Sequence, residues 1–375
     1  MRALILSCNT GGGHNAAARA MAEAFRANGD EAVVLDYLKL AGEKVSKRVG
    51  DVYVETVKNV PGVFGLVYKL GMLVSRLLRR SPVYYVNGIM AKYLRAYLKE
   101  HPADVILMPH LYPAETITYM KRKGMKLPLT VAVMTDYTCI PFWEETDCDY
   151  YVIPHESLAR EIIRRGIPGE KLYAAGIPVM AACGRDIGKT EAKKELGLDV
   201  QKRYILMAGG SMGAGSMGKL VSVLLAKLEE REHLLLICGN NRKLKEHLQK
   251  RYGGSAQITV LGSVNNMPLY LKACDVVYTK PGGLTSTEAA VVGIPIVHTK
   301  PIPGCETKNR RFFRKNGMSV AAYTERGLAK AGLKLLREQE SRKRLIEAQN
   351  CVIAKDSAQR IYRFVAEKTK ETTKA

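Results

Sequence analysis

Short apolar runs alternate with helix-forming stretches along the whole chain. Strands buried on both faces of a parallel sheet read as such runs, and the helices between them cover the sheet. The pattern therefore predicts an α/β protein with two doubly wound, Rossmann-like domains. Ten strands are expected: Ala3–Ser7, Ala32–Asp36, Val105–Met108, Thr130–Met134, Tyr150–Ile153, Tyr204–Ala208, Leu234–Cys238, Ile258–Leu261, Val276–Thr279 and Ile294–His298.

The length of the chain fits two domains. Its 375 residues, 47% of them apolar, can form two full cores. A turn at Gly176-Ile177-Pro178 precedes a charged helical pattern, so a linker is expected near 177–200. We predict a first domain over 1–180, a second over 181–355, and a terminal helix over 356–375. This helix could pack back on the first domain.

The chain is strongly basic. Lys and Arg number 58 against 36 Asp and Glu, a formal charge of +22 that attracts anionic lipid headgroups, nucleic acid or nucleotides. A basic insertion at about 45–85 interleaves these cations with aromatic residues, as in a surface lying at a lipid interface. Ordinary helices with a solvated basic face fit equally well. Nucleic-acid binding is not expected, because no readout module accompanies the charge.

The cysteines and the longest apolar stretch bear on location. The eight cysteines are scattered without a CxxC pair, which is typical of reduced, cytosolic thiols. The stretch 60–78 is interrupted by charges, glycines and a proline, and falls short of the roughly 20 apolar residues of a spanning helix. We expect a cytoplasmic protein bound peripherally to the membrane. The match of Asp147-Cys148-Asp149 to a metal-binding DxD is discounted, and neither a metal nor a cofactor is expected.

Two polar clusters follow strands in the first half. The first strand leads into a glycine-rich turn, Gly11-Gly12-Gly13, with His14 near the start of the next helix. The spacing is not the GxGxxG of a dinucleotide site. Asp136 follows the fourth strand, and the carboxyl ends of parallel strands share one crevice, so Asp136 and His14 could face one cavity. A carboxylate there can take a proton from a hydroxyl; an Asp that only caps the next segment is the alternative.

Three loops of the second half could carry chemistry. One contains Gly209 to Gly215, and a second runs from Lys280 through Gly282 and Gly283 to Glu288; both lie between a strand and a helix. A third, 301–309, is a rigid loop with acceptor-rich side chains suited to sugar hydroxyls. Helix amino ends stabilise negative charge, so such loops can hold a diphosphate without metal. Glu288, one turn into its helix, can accept hydrogen bonds from both ribose hydroxyls. Each loop could instead be plain βα architecture, but three in one domain favour a nucleotide site.

Four motifs together resemble one family. GGGH at 11–14, TDY at 135–137, KPGGLTSTE at 280–288 and PIPGCETKN at 301–309 resemble the monogalactosyldiacylglycerol synthases and the processive diacylglycerol β-glucosyltransferases. The likeness covers nearly the whole chain. It implies a GT-B fold, with two Rossmann-like domains facing a central cleft, and inverting transfer of a hexose from UDP-glucose or UDP-galactose to diacylglycerol or its monoglycosyl product at an anionic membrane surface.

The resemblance also implies roles for individual residues. Asp136 would be the catalytic base, and His14, the other catalytic residue, would lie at the crevice beside the donor or anionic-lipid site. The remaining assignments fall into a donor set and an acceptor or membrane set. The donor set is Gly210, Ser211, Met212, Gly213, Val264, Met267, Gly282, Gly283, Leu284, Thr285, Glu288, Glu306 and Asn309. The acceptor or membrane set is Gly12, Gly13, Phe64, Tyr68 and Trp143, of which Trp143 fits a core position equally well.

Two departures from the family pattern leave the sugar open. Ile140 stands where TDxxxHxxW carries His, and Cys305 replaces the Gln of PxPGQExxN, an amide suited to sugar hydroxyls. Galactose, glucose and N-acetylglucosamine all remain candidates. Two rival functions share the carboxy-terminal motifs or the fold: transfer of N-acetylglucosamine to a polyprenyl-linked peptidoglycan precursor, and 2-epimerisation of a UDP-sugar without a membrane acceptor.

Overall fold

The computed structural model describes residues 1–8, 12–48, 70–74, 80–209 and 217–374. The chain divides into two compact units. The first comprises Met1–Ala181, Pro303–Cys305 and Asp356–Ala375, and the second comprises Ala182–Ile302 and Glu306–Lys355. Each unit contains one six-stranded parallel sheet with its own helices, as the alternating sequence pattern predicts.

The sheet of the first unit has the order β2-β1-β3-β4-β5-β6. Its central strands are almost entirely apolar because helices cover both faces, which leaves no solvated side to carry polar residues. The strand order reverses between β1 and β3, and such a switch point is where α/β sheets hold ligands. The strands are β1 Arg2–Ser7, β2 Glu31–Asp36, β3 Val105–Met108, β4 Leu129–Val133, β5 Tyr150–Ile153 and β6 Leu172–Ala174.

Five helices whose two ends lie in the described residues occur between these strands, and a sixth comes from the end of the chain. The last helix buries Ile361 and Val365 in the core of this sheet, and Phe364 stacks on Tyr173 with ring centroids 4.2 Å apart. The apolar side of this amphipathic helix thus completes the core of the first unit. The helices are α1 Gly12–Ala27, α2 Pro82–Gly88, α3 Ala91–Glu100, α4 Leu111–Arg122, α5 Ala159–Arg164 and, after the second unit, α15 Ser357–Lys374.

The sheet of the second unit has the order β12-β11-β10-β7-β8-β9. Its switch point lies between β7 and β10, so the loops after these two strands share one edge. The strands are β7 Arg203–Ala208, β8 Glu232–Ile237, β9 Ile258–Leu261, β10 Val276–Thr279, β11 Ile296–His298 and β12 Ser319–Ala321.

In the described part of the second unit, nine helices accompany the sheet. Close packing is visible at Gly332, where an added Cβ would lie 1.8 Å from the hydroxyl oxygen of Tyr278, which donates to Leu328 O at 3.0 Å. The helices are α6 Ala181–Gly184, α7 Lys189–Glu195, α8 Met217–Leu225, α9 Arg242–Tyr252, α10 Met267–Ala273, α11 Gly283–Val292, α12 Cys305–Lys315, α13 Glu325–Arg337 and α14 Gln339–Val352.

All ten strands expected from the sequence are present, with ends within two residues of the prediction. The sequence did not reveal β6 and β12, each only three residues long. The expected linker region includes α7, which packs against α10 of the second unit.

Candidate active site

His14 lies at the switch point of the first sheet. It is the third residue of α1, the helix that follows β1 in the chain, and it is half-buried. His14 Nδ1 lies 2.8 Å from the carbonyl oxygen of Pro109, which follows β3, and 3.2 Å from Thr135 Oγ1, which follows β4. Three neighbouring strand ends therefore converge on one imidazole.

The hydrogen bond to Pro109 fixes the tautomer of His14. A carbonyl oxygen can only accept, so Nδ1 carries the proton in the neutral ring and Nε2 keeps its lone pair. Burial lowers the pKa of His14, and this outweighs the opposing effect of the Asp136 carboxylate and of the bond to Pro109. The ring is therefore neutral at neutral pH.

His110 is a member of this cluster that the sequence did not reveal. Its ring meets that of His14 edge to face, with centroids 4.5 Å apart. His110 Nδ1 accepts a hydrogen bond of 3.1 Å from Tyr112 N–H and so caps α4. Burial and the nearby His14 hold the pKa of His110 well below its usual range. A histidine directly after Met108-Pro109, at the end of a buried strand, is the signal that could have identified it.

Asp136 is half-buried on a loop that α5 holds in place. Thr138 donates a hydrogen bond of 2.9 Å to Glu161, and Arg165 donates one of 2.9 Å to Cys139 O while pairing with Glu144. These bonds fix the segment directly after Asp136. Asp136 directly follows Thr135, whose Oγ1 lies 3.2 Å from His14 Nδ1, so the two predicted residues lie in one neighbourhood.

The helix α11 presents an open face at the switch point of the second sheet. Gly282 caps this helix after β10, and the cap is half-buried, as are Thr285, Glu288 and, at the far end of the helix, Val292. Spacing of three residues aligns the first three along one side of the helix, whereas Gly283 and Leu284 are buried. A Cβ at Gly282 would meet no atom within 4 Å, so the protein's own packing does not require a glycine there.

The third predicted loop is organised by Glu306. Its carboxylate accepts a hydrogen bond of 2.6 Å from Ile302 N–H and lies 3.5 Å from Lys280 Nζ. Asn309, one turn further along α12, is completely buried. Lys280 and Glu306 thus tie the loop after β11 to the loop after β10, the two loops that the sequence assigns to donor binding.

Comparison with known proteins matches a different family model to each unit. Residues 14–179 match the family model described as monogalactosyldiacylglycerol (MGDG) synthase, and residues 188–350 match glycosyl transferases group 1. A processive diacylglycerol beta-glucosyltransferase of Bacillus pumilus (strain SAFR-032) is 25% identical over 368 residues, which are 98% of this chain and 94% of the relative. A probable monogalactosyldiacylglycerol synthase 3, chloroplastic, of Oryza sativa subsp. japonica is 29% identical, over 87% of this chain and 66% of the relative.

The chain is a GT-B glycosyltransferase that resembles these two families.

Solved structures agree on the fold of this glycosyltransferase. MurG of Acinetobacter baumannii superposes with a TM-score of 0.63 at 16% identity, over 98% of this chain and 99% of that one. A putative UDP-N-acetylglucosamine 2-epimerase of Listeria monocytogenes gives 0.65 at 15% identity, over 99% and 97%. At such identities the likeness establishes the GT-B fold, which the sequence predicted.

Other predicted site residues of the glycosyltransferase lie at the start of a helix, near a turn or in the core. Gly12 and Gly13 begin α1, while Val264 and Met267 are half-buried in and after the turn from β9 to α10. Trp143 is 3% exposed and takes the core position that the sequence left open. Six further predicted residues lie outside the described part of the chain: Phe64, Tyr68, Gly210, Ser211, Met212 and Gly213.

An exposed apolar surface appears on α2 of the first unit. Tyr85, Val86 and Ile89 are 57%, 65% and 62% exposed, and we call these three residues the α2 surface. Leu70 and Leu73, in the basic insertion, are also more than half exposed. Contiguous apolar side chains of this size on a water-facing helix mark a protein or membrane contact. The sequence singled out Tyr85 only as part of the broad basic region.

None of the helices in the described residues has the length and hydropathy needed to cross a bilayer. No group of three or more His, Cys, Asp or Glu side chains in the described ranges has the geometry to hold a metal ion.

Proposed function

We propose that this glycosyltransferase moves a hexose from a UDP-sugar to a hydroxyl of diacylglycerol or a glycosyl-diacylglycerol, with inversion at the anomeric carbon. The observation that carries the proposal is the convergence of His14, Thr135 and the Asp136 loop at one switch point. It occurs in a chain whose relatives are named for synthesis on diacylglycerol.

The proposed reaction is a single in-line displacement. The acceptor hydroxyl oxygen attacks the anomeric carbon, the bond from that carbon to the UDP oxygen breaks, and its electron pair leaves with UDP. Asp136 accepts the hydroxyl proton. His14, neutral and with Nδ1–H bound to Pro109 O, directs Nε2 as a hydrogen-bond acceptor and so helps to orient the acceptor hydroxyl.

The open face of α11 supports the proposed donor site. Amide groups of its first turn, at Gly283 and Leu284, can stabilise the departing diphosphate, and Gly282 leaves room for its close approach. Thr285 extends this contact, and Glu288 accepts the ribose hydroxyls. Amide groups at the helix amino end stabilise the negative charge that a metal ion would otherwise neutralise. We therefore propose a reaction that needs no metal or other cofactor and that continues in excess EDTA.

We propose that the first unit binds the cytoplasmic face of the cell membrane. The α2 surface supplies exposed apolar side chains, and the chain's excess of cations favours anionic headgroups. Residues 70–74 lie against the Asp136 loop: a Cβ at Gly71 would approach the ring of Phe142 to 3.4 Å, and Arg165 donates to Met72 Sδ at 3.2 Å. Diacylglycerol, which remains in the bilayer, could then enter beside Asp136.

A comparison of acceptors tests the proposal. Purified protein is given radiolabelled UDP-glucose, UDP-galactose or UDP-N-acetylglucosamine, together with anionic vesicles that contain either diacylglycerol or a polyprenyl-linked peptidoglycan precursor. We expect label in the diacylglycerol fraction with a hexose donor. Label only in the polyprenyl lipid would overturn the assignment, and so would an isomerised UDP-sugar formed without any acceptor.

A further inference from the structure

A cavity of about 460 Å³ opens on the second unit, away from the proposed donor loops. It is lined by Asp275, directly before β10, and by Pro295, directly before β11. The donor loops follow the carboxyl ends of the strands, whereas this cavity lies at the amino ends. Its volume is in the range of pockets that enclose small organic ligands.

Positive charge predominates in the lining. Two carboxylates face five cationic groups. Asp275 is paired with Lys189 at 2.5 Å, and Arg185 lies 3.8 Å from Glu195, which is outside the lining. Asp275 also accepts a hydrogen bond of 2.8 Å from Tyr204 N–H. The cations are Arg185, Lys189, Lys272, Arg342 and Lys355, and the second carboxylate is Asp186.

The excess of positive charge in the cavity is most evident at Lys272. Its ammonium donates to the backbone carbonyl of Arg185, and within the described part of the chain it forms no ion pair with a carboxylate. Burial lowers the pKa of Lys272, and the nearby Arg185 and Lys355 lower it further, against the opposing effects of Cys183 and Asp186. An anion in the cavity would relieve this repulsion.

The remaining lining is apolar and lies close to both ends of the second unit. Leu271, Val291, Ile294 and Ile346 supply surface for an organic group beside the cations. Cys183–Lys189 follows directly on the point where the chain enters this unit, and Lys355 is the last residue before it leaves. A ligand in the cavity would bridge these two segments.

We propose that this cavity is a second anion site, which binds a small molecule carrying phosphate groups and is separate from the donor site. Several cations around a partly apolar pocket suit a ligand with a phosphate ester or pyrophosphate group better than they suit a neutral ligand. Binding there should stabilise the second unit by linkage. The site does not depend on which sugar or lipid the enzyme uses.

The test uses inorganic pyrophosphate as the probe and the full-length protein saturated with UDP, which occupies the donor site. Isothermal titration calorimetry should show one saturable pyrophosphate site that remains in the presence of UDP. Lys272→Met and Lys355→Ala should each weaken pyrophosphate binding about tenfold, the effect of losing a charged hydrogen bond. Lys343→Ala, an exposed lysine on α14 that does not line the cavity, should leave it unchanged.

The outcomes separate this proposal from the donor assignment. Absence of saturable pyrophosphate binding to the UDP-saturated wild type would overturn the second site, as would equal weakening in Lys343→Ala, which would indicate general charge attraction. Displacement of UDP by pyrophosphate would also overturn it, because the probe would then occupy the donor site. A thermal melt shows whether Lys272→Met is folded. Lys355 is exposed, so Lys355→Ala tests the cavity with a substitution that should not disturb folding.

Discussion

At the scale of single residues, turnover is expected to depend most on Asp136. Asp136→Asn keeps the size of the side chain but removes the proton acceptor, so the rate of glycosyl transfer should fall about 1,000-fold. UDP binding, measured by calorimetry, should stay within about twofold, because the donor loops are in the other unit. Asp147→Asn is the matched control, since Asp147 is an exposed carboxylate that pairs with Lys171. Full activity of Asp136→Asn would exclude the assigned role.

His298 makes stability depend on pH. It is fully buried between Ser286 and Ser319, each 3.0 Å from one ring nitrogen, and burial lowers its pKa to about 3. Between pH 3 and 6.5 the unfolded chain binds a proton there that the native protein does not, so stability falls as pH falls through this window. From pH 7 to 5 this group alone should cost about 2 kcal/mol.

Urea unfolding of wild type and His298→Gln at both pH values measures that contribution. The variant lacks the titrating ring, so its loss of stability from pH 7 to 5 should be smaller by about the same amount. His14, His110 and His233, whose pKa values are also lowered, remain in both proteins and cancel in the comparison. Equal losses in the two proteins would show that His298 does not titrate in this way.

The closeness of His14 to the segment that carries Asp136 is the part of the site that sequence could predict, because both residues follow strands whose carboxyl ends meet at one edge. The place of His110 could not be read in the same way. Nothing in Met108-Pro109-His110 shows that its ring lies against His14 and caps α4. The burial of Trp143 was equally open, since an aromatic ring in a loop fits a core or a surface.

At the scale of elements, α11 should bind the ribose through Glu288. Glu288→Ala should weaken UDP binding about tenfold, because two hydrogen bonds to a carboxylate are lost. The same change should matter less for a 2′-deoxy analogue of UDP, which has already lost one of those hydroxyls. Calorimetry with both ligands forms a double-mutant cycle. Glu347→Ala, an exposed glutamate on α14, is the control. Equal losses for the two nucleotides would contradict the ribose contact.

The α2 surface should carry membrane attachment. Replacement of Tyr85, Val86 and Ile89 by serine removes apolar area that is already exposed, so the fold should persist while cosedimentation with anionic vesicles falls by more than half. Val33→Ser changes an apolar residue of β2 that is also half exposed and serves as the control. Unchanged cosedimentation of the triple variant would assign attachment to another surface.

Most elements could be predicted because their apolar runs are long and buried on both faces. Short elements lack that signal: β6 has no fully buried position and β12 has only one. The helix over 189–195 reads as a charged linker, yet packing against α10 makes it part of the second unit. The charged pattern of 189–195 therefore does not show which unit this helix packs against. The sequence of α2 likewise does not show which of its side chains face solvent.

At the scale of the whole molecule, the two sheets have different uses in this account. The first, with His14 and Asp136 at its switch point, would receive the lipid, and the second, with α11 at its switch point, would hold the nucleotide. A net charge of +22 supports attachment to anionic membranes and binding of the donor diphosphate. Neither unit alone carries both halves of the proposed reaction.

The most direct measurement is mass spectrometry of the lipids of a heterologous host that makes no glycosyl-diacylglycerol of its own. Expression of this chain should produce diacylglycerol carrying one or more hexoses, and expression of Asp136→Asn at the same level should not. A lipid extract without glycosyl-diacylglycerol, from cells that contain folded wild-type protein and both UDP-hexoses, would contradict the proposed function.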